Sequence, residues 1–202
     1  MVSGSRAGTG SVRRIARGRL FVVSGPSGVG KGTLRKALFN TLDNLEYSIS
    51  CTTRSPRKGE KDGLDYRFIS PGSFRRLAEE GMFLEWAEVH GNLYGTLKED
   101  VEASLSKGRD VVLEIDVQGA VKVKEAMPDS VLLFILPPSE KDLLERLSHR
   151  GTESVDEVQA RIEGARHEIE LSGMYDHVIV NDFFSRALGE LAGIVESYRR
   201  LR

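Results

Sequence analysis

Residues 20–42 read LFVVSGPSGVGKGTLRKALFNTL. Leu20 to Val23 is an unbroken apolar run rich in β-branched residues, the pattern of a strand buried on both faces. It stops at a stretch with glycine at positions 25, 28 and 30. Beyond it Leu34, Ala37, Leu38 and Leu42 recur at the spacing that predicts a helix over 33–42. Within this strand-turn-helix, Gly25-Pro26-Ser27-Gly28-Val29-Gly30-Lys31 fits G-x-x-x-x-G-K in the context that motif requires. The glycines let successive backbone N–H groups turn toward one centre, and the helix N-terminus adds its dipole there. Lys31 adds a full positive charge, which suits the β- and γ-phosphates of a nucleoside triphosphate. A Gly-rich turn carrying a surface lysine is the bland alternative, and both flanks argue against it.

Gly32 departs from the Ser or Thr that usually follows the lysine, with Thr33 one place later. A hydroxyl at Gly32 cannot ligate a metal, so a Mg²⁺ is expected to be held through phosphates and waters, with Thr33 at the phosphate site.

Working outward, Val111 to Ile115, Val131 to Leu136 and Val178 to Val180 read as further buried strands. Helical spacing is expected over 97–105, 120–126, 141–147, 155–171 and 185–201. Ser154 with Glu157 resembles a capping box at the start of one of these helices. Alternating strands and helices with continuous apolar strands predict an α/β fold around a parallel sheet covered on both faces. Residues 47–96 break the alternation. They are polar, Gly-punctuated and rich in Arg and aromatics, with short strands expected at 65–69 and 82–87 and a short helix between. They read as an inserted α+β lobe.

The 202 residues suffice for one domain with inserts. Forty per cent hydrophobic and 29% charged residues are ordinary globular proportions, which exclude a mostly disordered chain or a coiled-coil rod. The longest apolar run, Val131 to Leu136, is too short to span a bilayer, so no membrane role is expected. The single cysteine, Cys51, excludes a disulfide framework and a Cys-based zinc site. A net charge of −1 excludes a whole-chain nucleic-acid footprint. Residues 1–18 contain Arg6, Arg13, Arg14 and Arg17 with no acid, and read as a basic tail. A weak contact with RNA or an anionic surface is the one nucleic-acid role that tail leaves open.

Several polar residues could do chemistry. Glu114 and Asp116, at the end of the 111–115 strand, are expected on one strand face; buried acids there need compensating cations or donors. Arg54 and Arg57 flank Pro56, and guanidinium forks match phosphate oxygens. Tyr66 and Tyr94 could add phenolic donors. Arg146, Arg150 and Arg161 could close over transferring phosphates or could simply pair with nearby acids such as Glu145 and Glu153. His90, His149, His167 and His177 show no metal or triad spacing and are expected to be structural or surface residues.

Six ordered motifs now carry a resemblance: SGPSGVGKGTL from Ser24, SCTTRSPRKGEKDGLDYRF from Ser50, FLEWAEVHGNLYGT from Phe83, LEIDVQGA from Leu113, RLSHRGTES from Arg146 and VIVND from Val178. Together they resemble the guanylate kinases, from about Arg19 to the C-terminus. The resemblance implies the P-loop nucleoside-monophosphate-kinase fold, with a mostly parallel five-stranded core at residues 19–46, 97–144 and 167–202. It also implies an acceptor lobe at 47–96 and a helical lid at 145–166. It implies an enzyme that transfers the γ-phosphoryl of ATP to GMP, and to dGMP, with Mg²⁺, in the cytoplasm.

The same resemblance assigns Gly25, Pro26, Ser27, Gly28, Val29, Gly30, Lys31, Gly32 and Thr33 to ATP, with Asn181 on the adenine side. It assigns Ser50, Glu85, Thr96, Glu114 and Asp116 to guanine reading or its surroundings, and Arg54, Arg57, Tyr66 and Tyr94 to the GMP phosphate. Lys31, Arg54, Arg146, Arg150 and Arg161 are the expected catalytic set. Guanine presents N1–H and N2 amino donors, both of which a carboxylate such as Glu85 accepts, whereas adenine would face it with a lone pair. A non-catalytic module of the same fold would have lost the phosphate loop or the lid arginines. A kinase for another small molecule would lack the Ser50, Glu85 and Thr96 set.

Overall fold

The structure, a computed structural model, describes residues 16–89, 91–148 and 155–202, with the side chains of 146–148 and 155–160 excepted. The Arg146 side chain, Arg150, His90, His149 and the capping box at 154–157 therefore lie outside it.

Strands β1 (Leu20–Ser24), β2 (Leu45–Tyr47), β3 (Cys51–Thr52), β4 (Arg67–Phe68), β5 (Phe83–Val89), β6 (Asn92–Leu97), β7 (Asp110–Glu114), β8 (Val131–Leu136) and β9 (His177–Val180) form two sheets. The larger has the order β2-β7-β1-β8-β9, and every pairing in it is parallel. Helices α1 (Lys31–Thr41), α2 (Pro71–Glu79), α3 (Lys98–Ser106), α4 (Val117–Ala126), α5 (Glu140–Ser148), α6 (Val155–Glu170) and α7 (Phe184–Arg200) complete the described elements, with a 3₁₀ turn at Leu171–Met174.

The period-2 alternation of β1 divides the core. Phe21 and Val23 join Leu34 and Leu38 of α1 and Leu191 and Val195 of α7 on one face. Leu20 and Val22 join Val101 and Leu105 of α3 and Ala120 and Val123 of α4 on the other. All five β1 residues are essentially inaccessible to water. Burying each such side chain is worth about 1.5–3 kcal/mol, so the central strand needs both helical layers.

The smaller sheet, β4-β3-β6-β5, is antiparallel except for the β3–β4 pair. Phe74 of α2 stacks on Phe83 of β5, with ring centroids 4.4 Å apart, to give it a separate small core. This sheet docks on the larger one where α4 meets β5.

Three expectations need correcting. Arg17 and Gly18 are not tail: the Arg17 guanidinium bonds Glu102 at 2.7 Å, and Gly18 N–H donates to Leu105 O at 2.8 Å. The 65–69 strand shrinks to Arg67–Phe68, because Asp62 and Asp65 side chains accept from Phe68 N–H and Lys61 N–H and bend the chain there. Asp116 does not share a strand face with Glu114. β7 ends at Glu114, and Asp116 is the N-cap of α4, its Oδ1 accepting from Gly119 N–H at 2.8 Å.

Candidate active site

Parallel strands deliver their C-terminal ends to one edge, the usual place for a site in an open α/β sheet. Here β1 runs into the phosphate loop, and its neighbour β7 ends at Glu114, paired with Val23. The loop needs glycine at two positions for stated reasons. Gly25 has φ 141°, and a Cβ there would lie 2.3 Å from Ile135 O. Gly30 has φ 100°, and a Cβ would lie 2.7 Å from the Asn181 amide nitrogen. Asn181, just past β9, donates to Val29 O at 2.8 Å and so braces the loop from below. Lys31 opens α1 and turns back over the loop, donating to Gly25 O at 2.5 Å and Pro26 O at 3.2 Å. Burial pushes its pKa down, and the carboxylates of Glu114, Glu168 and Asp116 partly oppose that.

Two cavities meet at this lysine. One, of about 340 Å³, is lined by Gly25, Lys31, Tyr66, Glu85, Tyr94, Asp116 and Glu168 among others. The other, of about 730 Å³, is lined by Gly28, Gly30, Gly32, Thr33, Arg35, Tyr47 and Glu60 among others. Ser27, Lys31, Tyr66 and Glu114 line both and form the wall between them. An apolar hollow of about 430 Å³ between α5 and α6 shares none of these lining residues.

Glu85 is only 6% exposed, and Thr96, opposite it across the β5–β6 ladder, donates to its Oε1 at 2.7 Å. Burial, helped by Asp116, raises the Glu85 pKa to about 7 against the lowering effects of Thr96 and Lys122. Its second oxygen is admitted by Gly119 on α4: a Cβ at that position would lie 2.8 Å from Glu85 Oε2. A carboxylate held by one donor, with its remaining capacity facing a cavity, is an acceptor for paired N–H donors.

At the other end of this cavity Tyr66 and Tyr94 sit edge to face, 5.9 Å apart. The Arg54 guanidinium lies over the Tyr66 ring at 5.4 Å and donates to Glu60 Oε1 at 2.9 Å, a bond that raises its pKa. Glu60 Oε2 accepts from Arg57 N–H at 2.7 Å, while the Arg57 side chain is exposed. Ser50 is buried just before β3 and lines neither cavity; its carbonyl accepts from Arg67 N–H. Arg161, on α6, donates to Ser27 Oγ at 2.9 Å and so reaches the wall between the cavities.

The structure thus gathers Gly25, Ser27, Gly28, Gly30, Lys31, Gly32, Thr33, Tyr66, Glu85, Tyr94, Glu114 and Asp116 around the two cavities. Arg54, Thr96 and Arg161 touch lining residues. Sequence reasoning missed Glu60, Gly119, Glu168 and Arg35. Glu168 and Gly119 carry no local signal, because only tertiary packing brings them to Lys31 and Glu85. Glu60 lies within the Ser50–Phe68 motif, six residues from the arginine it neutralises. His177 bonds the Tyr198 hydroxyl, and His167 lies at the surface near Glu170.

The family model described as guanylate kinase matches residues 17–198. A Listeria innocua protein named guanylate kinase is 50% identical over 182 residues, 90% of this chain and 89% of the relative. One from Thermus thermophilus is 51% identical over 184 residues, 91% of this chain and 83% of the relative. The crystal structure of guanylate kinase from Anaplasma phagocytophilum superposes with a TM-score of 0.75 at 37% identity, covering 91% of this chain and 87% of that one.

Proposed function

The chain belongs to the guanylate kinase family, and from that premise we propose how its side chains divide the work of moving the γ-phosphoryl of ATP to GMP. It is an ATP:GMP phosphotransferase, yielding ADP and GDP. The larger cavity takes the triphosphate on the loop from Gly25 to Thr33. The smaller takes GMP, with guanine at Glu85 and the phosphate at Tyr66, Tyr94, Arg54 and Arg57. The transferring group crosses the wall formed by Ser27, Lys31, Tyr66 and Glu114. The meeting of the two cavities at the half-buried Lys31 is the observation that carries this reading.

The GMP phosphate is largely ionised at neutral pH, so it attacks without a general base. Catalysis is then alignment plus neutralisation of oxygens that crowd together in flight. Lys31 supplies one charge. Arg161 reaches Ser27 from the lid side, and Arg146 and Arg150 are assigned to the same task. Arg54 changes partner, leaving Glu60 for the incoming phosphate. Asn181 serves ATP by holding Val29 and the loop in shape.

Ionised Glu85 accepts from guanine N1–H and N2 while Thr96 fixes its other bond. A site built to pair buried polar groups rejects partners lacking the donors by roughly 10⁴-fold or more. Among the described residues no group of three or more His, Cys, Asp or Glu is placed to hold a metal by itself. The larger cavity, lined by Lys31, Arg35, Lys36 and the glycines of the loop, suits a triphosphate that brings its own cation. Mg²⁺, which the family implies, supplies neutralisation of the phosphate oxygens when bound. Soluble nucleotide substrates support assigning the reaction to the cytoplasm. Among the described residues no helix is long and apolar enough to cross a membrane.

The test is an acceptor panel of GMP, dGMP, AMP, CMP and UMP with ATP and Mg²⁺, followed by ADP release. GMP and dGMP are expected to support turnover at least 10³-fold better than the others. Equal use of AMP would overturn the Glu85 assignment.

A further inference from the structure

Helix α1 opens with Lys31 and carries Arg35 one turn later, so the two cations share one face of the helix. Lys31 is tied to the loop carbonyls of Gly25 and Pro26. Arg35 is held differently. Its Nε donates to Glu114 Oε2 at 3.1 Å, and its guanidinium lies 3.8 Å over the centre of the Tyr47 ring. β7 and β2 thus fix its direction and its plane. The side chain is half-buried and lines the larger cavity with Lys31 and Thr33. A guanidinium has five N–H donors, and here only the one on Nε is used. Neither Nη1 nor Nη2 donates to any described residue.

We propose that Arg35 is a further catalytic residue, whose two Nη groups bind the γ-phosphate of the triphosphate as it moves to the acceptor. The proposal rests on the reading above that the larger cavity takes ATP. It gives the transfer site a guanidinium built into the core, independent of the lid.

Three observations support it. First, the unused end of the fork suits phosphate oxygens, which two parallel N–H groups hold in a fixed geometry that a point charge cannot impose. Second, the fork is pre-placed. An arginine loose in water gives up side-chain freedom when it binds, whereas Glu114 and Tyr47 already hold this one. Third, the charges at the wall call for it. Glu114 lies on the wall shared by both cavities, where its carboxylate repels phosphate oxygens on either side. Glu60 and Asp65, which also line the larger cavity, have donors of their own in Arg54, Arg57 N–H and Lys61 N–H. Arg35 is the cation bonded to Glu114, so it offsets that charge and still has its outer donors for the phosphate.

The test is calorimetric binding of the β,γ-imido analogue of ATP to the full chain, with ADP and GMP titrated in parallel and Mg²⁺ present throughout. Arg35→Gln is expected to weaken the analogue at least tenfold and ADP less than twofold, because ADP lacks the γ-phosphate. Arg35→Lys keeps a charge beside Glu114 and Tyr47 but loses the fork, and is expected to weaken the analogue at least threefold. It carries the test if the glutamine variant does not fold. A residue that only held Glu114 in place would have no effect once that carboxylate is gone. Arg35→Gln is therefore repeated in a Glu114→Gln background, where it is expected to weaken the analogue at least fivefold again. Unchanged analogue affinity, a loss shared equally by ADP, a loss confined to GMP, or a loss that vanishes in the Glu114→Gln background would overturn the proposal. Lys31→Ala separates it from the reading beneath, since it is expected to weaken both the analogue and ADP at least tenfold. Analogue binding indifferent to Lys31→Ala would instead overturn the assignment of the larger cavity.

Discussion

Glu85 ties recognition of the acceptor to a proton. Its carboxyl is buried in the ligand-free enzyme and titrates at about 7 instead of the ordinary 4.5. Guanine offers donors that only the ionised form can accept in full, so GMP binding is expected to expel the proton. The affinity for GMP therefore rises with pH up to about 7 and then levels off. Below that point each pH unit costs about tenfold, or about 1.4 kcal/mol. Between pH 8 and pH 5.5 this amounts to roughly 30-fold. The phosphate of GMP ionises near pH 6 and adds its own limb, so the comparison is with Glu85→Gln, which keeps the phosphate effect and loses the carboxyl effect.

The sign for stability is opposite. Because the folded pKa is raised, neutral Glu85 favours the ligand-free fold fully below about 4.5, and that contribution is lost as pH rises through about 7. The span corresponds to about 3 kcal/mol at most. Trp86, the only tryptophan, adjoins Glu85, is 42% exposed and has the Lys122 ammonium 5.4 Å from its ring centre. Its fluorescence is the assay, titrated with GMP from pH 5.5 to 8.5. Parallel pH profiles for wild type and Glu85→Gln through pH 7 would refute the reasoning.

Four further outcomes are expected. Gly119→Ala puts a methyl 2.8 Å from Glu85 Oε2, so the Michaelis constant for GMP should rise at least tenfold while ATP binding in equilibrium dialysis stays within twofold. Asn181→Ala removes the hydrogen bond to the Val29 carbonyl and should raise the Michaelis constant for ATP about tenfold, because a buried hydrogen bond under the loop costs about 1–3 kcal/mol to remove. Asp110 is fully buried at the start of β7 and accepts from Arg19 N–H, Arg199 and Arg202. Asp110→Ala should cost about 3–5 kcal/mol in a calorimetric melt and leave kcat at 25 °C nearly unchanged, since it lies at the end of the sheet opposite the site. Lys31→Ala should abolish ADP release while circular dichroism stays native.

Apolar periodicity made the larger sheet legible. β8 and the first four residues of β1 are continuous hydrophobic runs, as a strand buried on both faces must be, and β7 and β9 each carry three apolar residues in a row, Val111–Leu113 and Val178–Val180. β2, β3 and β6 were not legible. Leu45–Tyr47 is three half-buried residues, and Asn92–Leu97 carries Gly95, whose missing side chain makes room for Phe74, Phe83 and Trp86. Their pairing is decided by partners distant in sequence. The phosphate loop could be read because its chemistry is contiguous. The acceptor cavity could be read only through resemblance, since Glu85, Tyr66 and Asp116 come from separate elements. Asp116 shows how alternation misleads at a strand end: two residues past Glu114 the chain has already turned to cap a helix.

The central claim is that one cleft holds the two nucleotides end to end across Lys31. The most direct measurement is calorimetric binding of adenosine and guanosine joined through five phosphates. One molecule per chain is expected, at least 100-fold tighter than ATP or GMP alone, with Lys31→Ala and Glu85→Gln each weakening it tenfold or more. Two independent molecules per chain, or a linked ligand indifferent to either substitution, would contradict the account.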